Sequence, residues 1–328
     1  GAGGLDEADN LIVSGGNVDV ADAADIQAIS GYDGSASDYD ITDTAATLIS
    51  AGDSILNNAG VDIVTASETS VNASIGGDLA GFTADIEFNV EDTANLIAAE
   101  VAASGFGAGG LDEANNLTVS GGNVDVEDAA DIQAISGYDG SASDYDITDT
   151  AAALISATDS VLDKAGVDTV SVTGGPVLAD TGEKLAELSK DVEFDVVDTA
   201  DNVAAEVTGS NGAGDLDEAN TVVVSGGDVD AAEAAAIQSI SGYNDSASDY
   251  DITDNAAALI SATDSVLDKA GVDTVSVTGG PVDADTGATL NNMSADIEFD
   301  VTDTSSEVVQ NTVSLGEANS VEVTGSAA

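Results

Sequence analysis

Cysteine, histidine, arginine and tryptophan are all missing from this chain, and proline occurs only twice. Without cysteine there is no disulfide and no thiolate metal centre. Without histidine, cysteine or arginine the chain cannot build a nucleophilic triad, a usual zinc site or a phosphate clamp. Positive charge is nearly absent as well: Lys164, Lys184, Lys190 and Lys269 stand against 63 acidic residues. So little basic character excludes nucleic acid as a partner, since phosphates would go unneutralised. An anionic membrane surface is excluded on the same ground. Aromatics at 3% leave few side chains able to fill a deep interior, which implies a thin, repetitive core.

What is present is acid and small aliphatics. Hydrophobic residues make up 43% of 328, nearly all of them Ala, Val, Leu and Ile, too many for a disordered acidic tail. The formal net charge of -59 opposes compaction by self-repulsion. With a Debye length of about 8 Å at physiological ionic strength, a folded form calls for salt or bound divalent cations. Extreme acidity without cysteine fits an exported protein, so the expected location is extracellular or at the cell surface. No signal peptide or membrane-spanning run is visible, and the first residue is Gly1, as in a processed product or a piece of something longer.

Internal repetition dominates the chain. Leu5-Asp6-Glu7-Ala8 recurs as Leu111-Asp112-Glu113-Ala114 and as Leu216-Asp217-Glu218-Ala219, about 105 residues apart, with a degenerate Leu315-Gly316-Glu317-Ala318 near the end. Ile26 to Tyr32 returns unchanged as Ile132 to Tyr138, and again as Ile237 to Tyr243 with Ser239 in place of Ala. The expected repeats are therefore 1–110, 111–215 and 216–328. A half-period of about 53 residues lies inside each. An aromatic, Asp or Asn, an aliphatic, any residue, then Asp begins at Tyr39, Phe88, Tyr145, Phe194, Tyr250 and Phe299, with Tyr and Phe alternating.

Within one repeat, Val167 to Thr173 alternates β-branched and polar residues up to Gly174-Gly175, which predicts a strand closed by a turn. Leu117 to Ser120 predicts another, stopped by Gly121-Gly122. An Ala-rich helix is expected over Ala129 to Ile135, and a second strand over Tyr145 to Thr148. Asp149 would N-cap a helix whose apolar residues Leu154, Ile155, Val161 and Leu162 share one face. Gly166 suits a left-handed position after that helix. The unit is β-α-β-α, and strands joined by helical crossovers run parallel. The fold class is thus α/β, a repetitive parallel-strand solenoid of about six β-α-β-α units; a row of small α/β domains is the alternative.

The leading candidate for chemistry is the acidic loop before the Tyr strand, with Asp33, Asp38 and Asp40 in the first copy and Asp139, Asp144 and Asp146 in the second. Asn244-Asp245 replaces the Asp-Gly pair in the third, leaving Asp245, Asp249 and Asp251. Calcium takes six to eight oxygen ligands, which closely spaced Asp, Ser and carbonyl groups can supply; the competing reading is solvated turn formers. The loop matches neither the EF-hand nor the Gly-rich nonapeptide calcium repeat. The Asp closing each second strand (Asp43, Asp92, Asp149, Asp198, Asp254, Asp303) reads as an N-cap rather than a ligand. Acid pairs such as Asp112-Glu113 recur in every copy, whereas a catalytic site is normally unique, so no enzyme is expected. Asn-x-Ser/Thr sequons begin at Asn72, Asn116, Asn244 and Asn292, a weak and short pattern.

The text from Tyr145 to Ala152 resembles tandem "DTAA"-type repeats of large bacterial cell-surface and secreted proteins. That resemblance implies an exported, non-catalytic surface or matrix protein and transfers no functional residues. The chain also opens and closes at the same phase of the repeat, Leu11 to Ser14 matching Ser320 to Thr324. The expectation is a structural protein that joins copies of itself end to end into a filament or surface layer, with calcium as the candidate stabilising ion. A spacer or binding stalk within a large adhesin is the alternative.

Overall fold

The computed structural model describes residues 5, 7–104, 110–209, 216–312 and 314–325. Asp6 of the first Leu-Asp-Glu-Ala copy and the Gly-rich residues 1–4 lie outside them. The chain divides into two compact units, residues 1–149 with 156–171 and residues 150–155 with 172–328.

Every strand pairing among the described residues is parallel. The sheets have four, five, five and two strands, and each strand lies beside the next one in sequence. A parallel neighbour needs a crossover connection, and a helix supplies it at almost every step. The protein is therefore a repetitive α/β arrangement of parallel βα steps, the class expected from the repeat.

In the first unit, Ser14–Val18 leads to helix Val20–Gln27, and the Tyr strand Asp38–Asp43 leads to helices Ala45–Ala51 and Asp53–Leu56. Strand Val61–Ala66 follows with helix Ala73–Ala80, then the Phe strand, Ile86–Glu87 and Asn89–Asp92, with helix Ala94–Ser104. The series restarts at Asn116–Val124. In the second unit, Asp195–Asp198 and helix Ala200–Thr208 lead to Thr221–Val229, helix Ala231–Gln238 and the Tyr strand Asp249–Asn255. The series runs on to Asp300–Thr304, helix Ser305–Asn311 and strand Ser320–Thr324.

Alternation on the strands places one side chain in two inside. Tyr39, Ile41, Tyr145, Ile147, Tyr250 and Ile252 are all buried, and Phe88, Phe194 and Phe299 fill the other half of each repeat. Small helix residues such as Ala23, Ala129 and Ala234 are buried against them, so the helices approach closely and few large side chains are needed. The Phe is also where the ladder changes partners. Ile86 pairs with Val64 on one side of Phe88, while Asn89 pairs with Asn116 on the other.

Local expectations are corrected at three points. The Gly pair does not stop its strand: Asn116–Val124 runs through Gly121-Gly122, with a register shift between Ser120 and Asn123. Both glycines have positive φ, 79° and 97°, a bulge that L side chains resist. The Ala-rich helix begins earlier, at Val126, because Asp125 accepts a hydrogen bond from the Asp128 N–H and caps it. The helix expected after Asp149 is two short ones, Ala151–Ser156 and Asp159–Leu162, which bury Leu154 and Leu162. Gly166 does take a positive φ, 101°, just before strand Val167–Val172.

Candidate functional site

The acidic loops are tight turns closed on themselves. Asp33 caps a 3-10 turn over Gly34–Ala36, its Oδ1 accepting from the Ser35 N–H at 3.2 Å and the Ser35 hydroxyl at 2.7 Å. Asp139 repeats this with Ser141 at 3.0 and 2.6 Å. The Ser141 hydroxyl bond holds the Asp139 carboxyl below its ordinary value. In the third copy Asn244 Oδ1 accepts from the Ser246 hydroxyl, and Asp245 pairs with Lys269 at 3.4 Å. Asp38, Asp144 and Asp249 begin the Tyr strands and are exposed. Two residues on, Asp146 turns to the next strand and accepts from the Thr169 N–H and hydroxyl, as Asp251 does from Thr274; Asp40 occupies the same strand position, opposite Asn17. Among the described residues, no group of three or more acidic side chains is placed to hold a metal ion. Asp33, Asp139, Asp146, Asp245 and Asp251 are each held in a separate Ser, Thr or Lys contact.

The Asp closing each strand does something the sequence did not suggest. It does not cap its own helix, where the cap is the next residue: Thr44 accepts from the Thr47 N–H and Asn255 from the Ala258 N–H. Instead, its Oδ2 accepts from the first helical N–H of the preceding step. Val20 donates to Asp43 at 3.1 Å, Ala73 to Asp92 at 3.0 Å and Val126 to Asp149 at 3.2 Å. Ala179 donates to Asp198 at 3.0 Å, Ala231 to Asp254 at 3.3 Å and Ala284 to Asp303 at 3.0 Å. The other oxygen often binds the following backbone, as Asp198 Oδ1 does with the Thr199 N–H at 2.8 Å. Each carboxylate thus joins consecutive steps at a helix N-terminus, where negative charge is favoured. Asp198 is the buried charged residue among those described, 7% exposed. A second tie recurs beside it: the Gln27, Gln133 and Gln238 amides donate to the hydroxyls of Tyr39, Tyr145 and Tyr250.

Concave surface is also repeated. A cleft of about 420 Å³ is lined in part by Phe82, Thr83, Asp85 and Glu113, and one of about 430 Å³ by their counterparts Leu188, Ser189, Asp191 and Glu218. Of the sequon residues, Asn72 uses its side-chain oxygen as a helix cap for the Ile75 N–H, and Asn116 lies within a strand.

One surface breaks the pattern. Val321 and Val323 on strand Ser320–Thr324 are 42% and 52% exposed, whereas Val222 and Val224 at the same repeat positions are fully buried. On the adjoining helix Val309 is 69% exposed, against 5% for Ala98 and 2% for Ala204. The internal positions are covered because helix Val126–Ala134 packs on Ala94–Ser104 and helix Ala231–Gln238 on Ala200–Thr208. In the first unit Ile12 is 49% exposed, and Leu11 and Val13 are part-exposed. Leu117 and Val119, at the positions of Leu11 and Val13, are fully buried.

No protein-family model matches the chain, and no curated protein matches it. The class rests on its own geometry: a repetitive α/β protein of parallel βα steps, tied step to step by aspartates.

Proposed function

We propose that this chain is a non-enzymatic, extracellular structural protein that joins copies of itself end to end into a filament or surface layer. The observation that carries the reading is the face formed by Val309, Val321 and Val323, whose internal counterparts are covered by the next step of the repeat. A head-to-tail joint that reproduces an internal contact is heterologous, and such joints build open filaments. Clefts and acid pairs recur from copy to copy, which fits a structural role better than a catalytic one. Cations, calcium among them, would neutralise the acidic surface as copies come together.

The test is light scattering and electron microscopy of the full chain with and without calcium, in NaCl of matched ionic strength. Concentration-dependent polymers are expected; persistent monomers under every condition would sink the reading. Growth in calcium alone would mark a bound ion, and equal growth in both salts would mark screening. The next repeat of a longer chain would cover the same face, as in an adhesin stalk. Intact mass of the native product separates the two readings.

A further inference from the structure

The two exposed regions pose a problem of phase. Inside the chain the order is Phe strand, Gly-Gly strand, Tyr strand: Asn89–Asp92 pairs with Asn116–Val124, which pairs with Asp144–Asp149. The second unit repeats this with Asp195–Asp198, Thr221–Val229 and Asp249–Asn255. Strand Ser320–Thr324 already occupies the Gly-Gly place beside Asp300–Thr304, with Val301 opposite Val321. The first strand region of another copy, Leu11 to Val18, is of the same Gly-Gly kind and already has its Tyr strand, Asp38–Asp43. Butting the two together would set Gly-Gly strand against Gly-Gly strand, a neighbour relation found nowhere among the described residues.

We infer that copies join by strand exchange: residues 7–14 of a second copy displace residues 315–324 from the Phe strand Asp300–Thr304. The inference rests on the end-to-end reading above and specifies its joint. Exchange restores the internal order without duplication. It sets Leu11 opposite Val301 and Ile12 opposite Thr302, as Leu117 lies opposite Val90 and Thr118 opposite Glu91. It brings Leu5, now 52% exposed, to the place of Leu315, whose Cδ2 lies against Gly287 as those of Leu111 and Leu216 lie against Gly76 and Gly182. The incoming strand also carries its own cover. Helix Val20–Gln27 arrives over Ser305–Asn311 and buries Val309, as Ala231–Gln238 buries Ala204. None of the five residues of the resident strand is buried. The exchange therefore gives up a poorly covered strand for one backed by a helix and a further strand.

The chain has no cysteine, so engineered pairs report the joint against a clean background. Full-length Ile12→Cys/Thr302→Cys is compared, under mild oxidation, with Ile12→Cys/Glu322→Cys and with each single variant. Exchange predicts a ladder of disulfide-linked oligomers from the first pair only, and nothing beyond dimers from the single variants. A ladder from the second pair would overturn exchange while leaving end-to-end assembly standing, since that pair meets when the strands abut. Wild-type polymers with no ladder from either pair would also overturn exchange. Wild-type monomers throughout would overturn both this inference and the reading beneath it. Circular dichroism of each variant confirms that the fold is retained.

Discussion

At the scale of single residues, the closing aspartates carry the most consequence. Asp198 accepts from Ala179 N–H, Thr199 N–H and the Asn202 amide at 3.0, 2.8 and 2.7 Å. Removing the carboxylate strands a buried helical N–H as well as losing charged hydrogen bonds. Asp198→Ala is expected to cost about 3 kcal/mol, and Asp198→Asn less because one acceptor remains; urea unfolding would measure both. Two carboxyl groups also respond to pH in opposite senses. Asp139 is held low by the Ser141 hydroxyl, so its contribution is present above the ordinary carboxylate range and is lost as pH falls through its depressed value. Glu206 is pushed up by burial and then by its hydrogen bond with Glu183. Its contribution is present below the ordinary carboxylate range and is lost as pH rises through the raised value. Glu206→Gln should flatten that part of the stability profile, while Asp139→Asn should lower stability at neutral pH and flatten its fall on the acid side; unfolding midpoints across the pH range would check both. The capping chemistry of an Asp before Thr was legible in the sequence. Which helix it serves was not, because the donor on Val20 or Ala179 lies 23 or 19 residues back and only the parallel register brings it near.

At the scale of elements, the repeat text was a reliable guide wherever burial repeats. The alternation of Tyr39 with Phe88 and the strand at Val167–Val172 could be read because their side chains alternate inside and out. The Gly-Gly strands could not, since glycine signals a turn and a bulge alike, and the continuation through Asn123 and Val124 depends on a partner at Asp146 and Ile147. That bulge yields a graded prediction. Gly121→Ala forces an L residue into positive φ with nothing within 4 Å of the added carbon, a cost of about 1–2 kcal/mol. Gly122→Ala adds a 3.1 Å approach to the Ala94 nitrogen and should lower the melting temperature further. Equal losses would mean that backbone conformation alone sets the requirement. The uncovered Val309 was hidden for a related reason: valine in a short helix carries no mark of exposure until its neighbours are placed.

For the whole molecule, charge is the governing term. With a formal net charge of -59 and ion pairs such as Lys184–Asp180 lying at the exposed surface, self-repulsion should dominate at low ionic strength. The melting temperature is expected to rise as NaCl is added and to level off once the Debye length falls to a few ångströms, about 3 Å at 1 M. A melting temperature that falls with salt would show that local ion pairs outweigh the repulsion.

The sequential order of strands also governs how the chain acquires its structure. Within each sheet a strand's partner is the next one along, and the aspartate ties span only 19 or 23 residues. Closing such loops is entropically cheap compared with joining distant segments. Each step can therefore dock on its predecessor as it leaves the ribosome, without waiting for the C-terminal half. Near-identical copies carry the opposite hazard, since a Tyr strand from the third repeat would fit the partner of the first almost as well. Vectorial synthesis resolves that ambiguity by presenting the correct neighbour first. Refolding the complete chain from denaturant should be slower and more prone to mispaired products than its original synthesis.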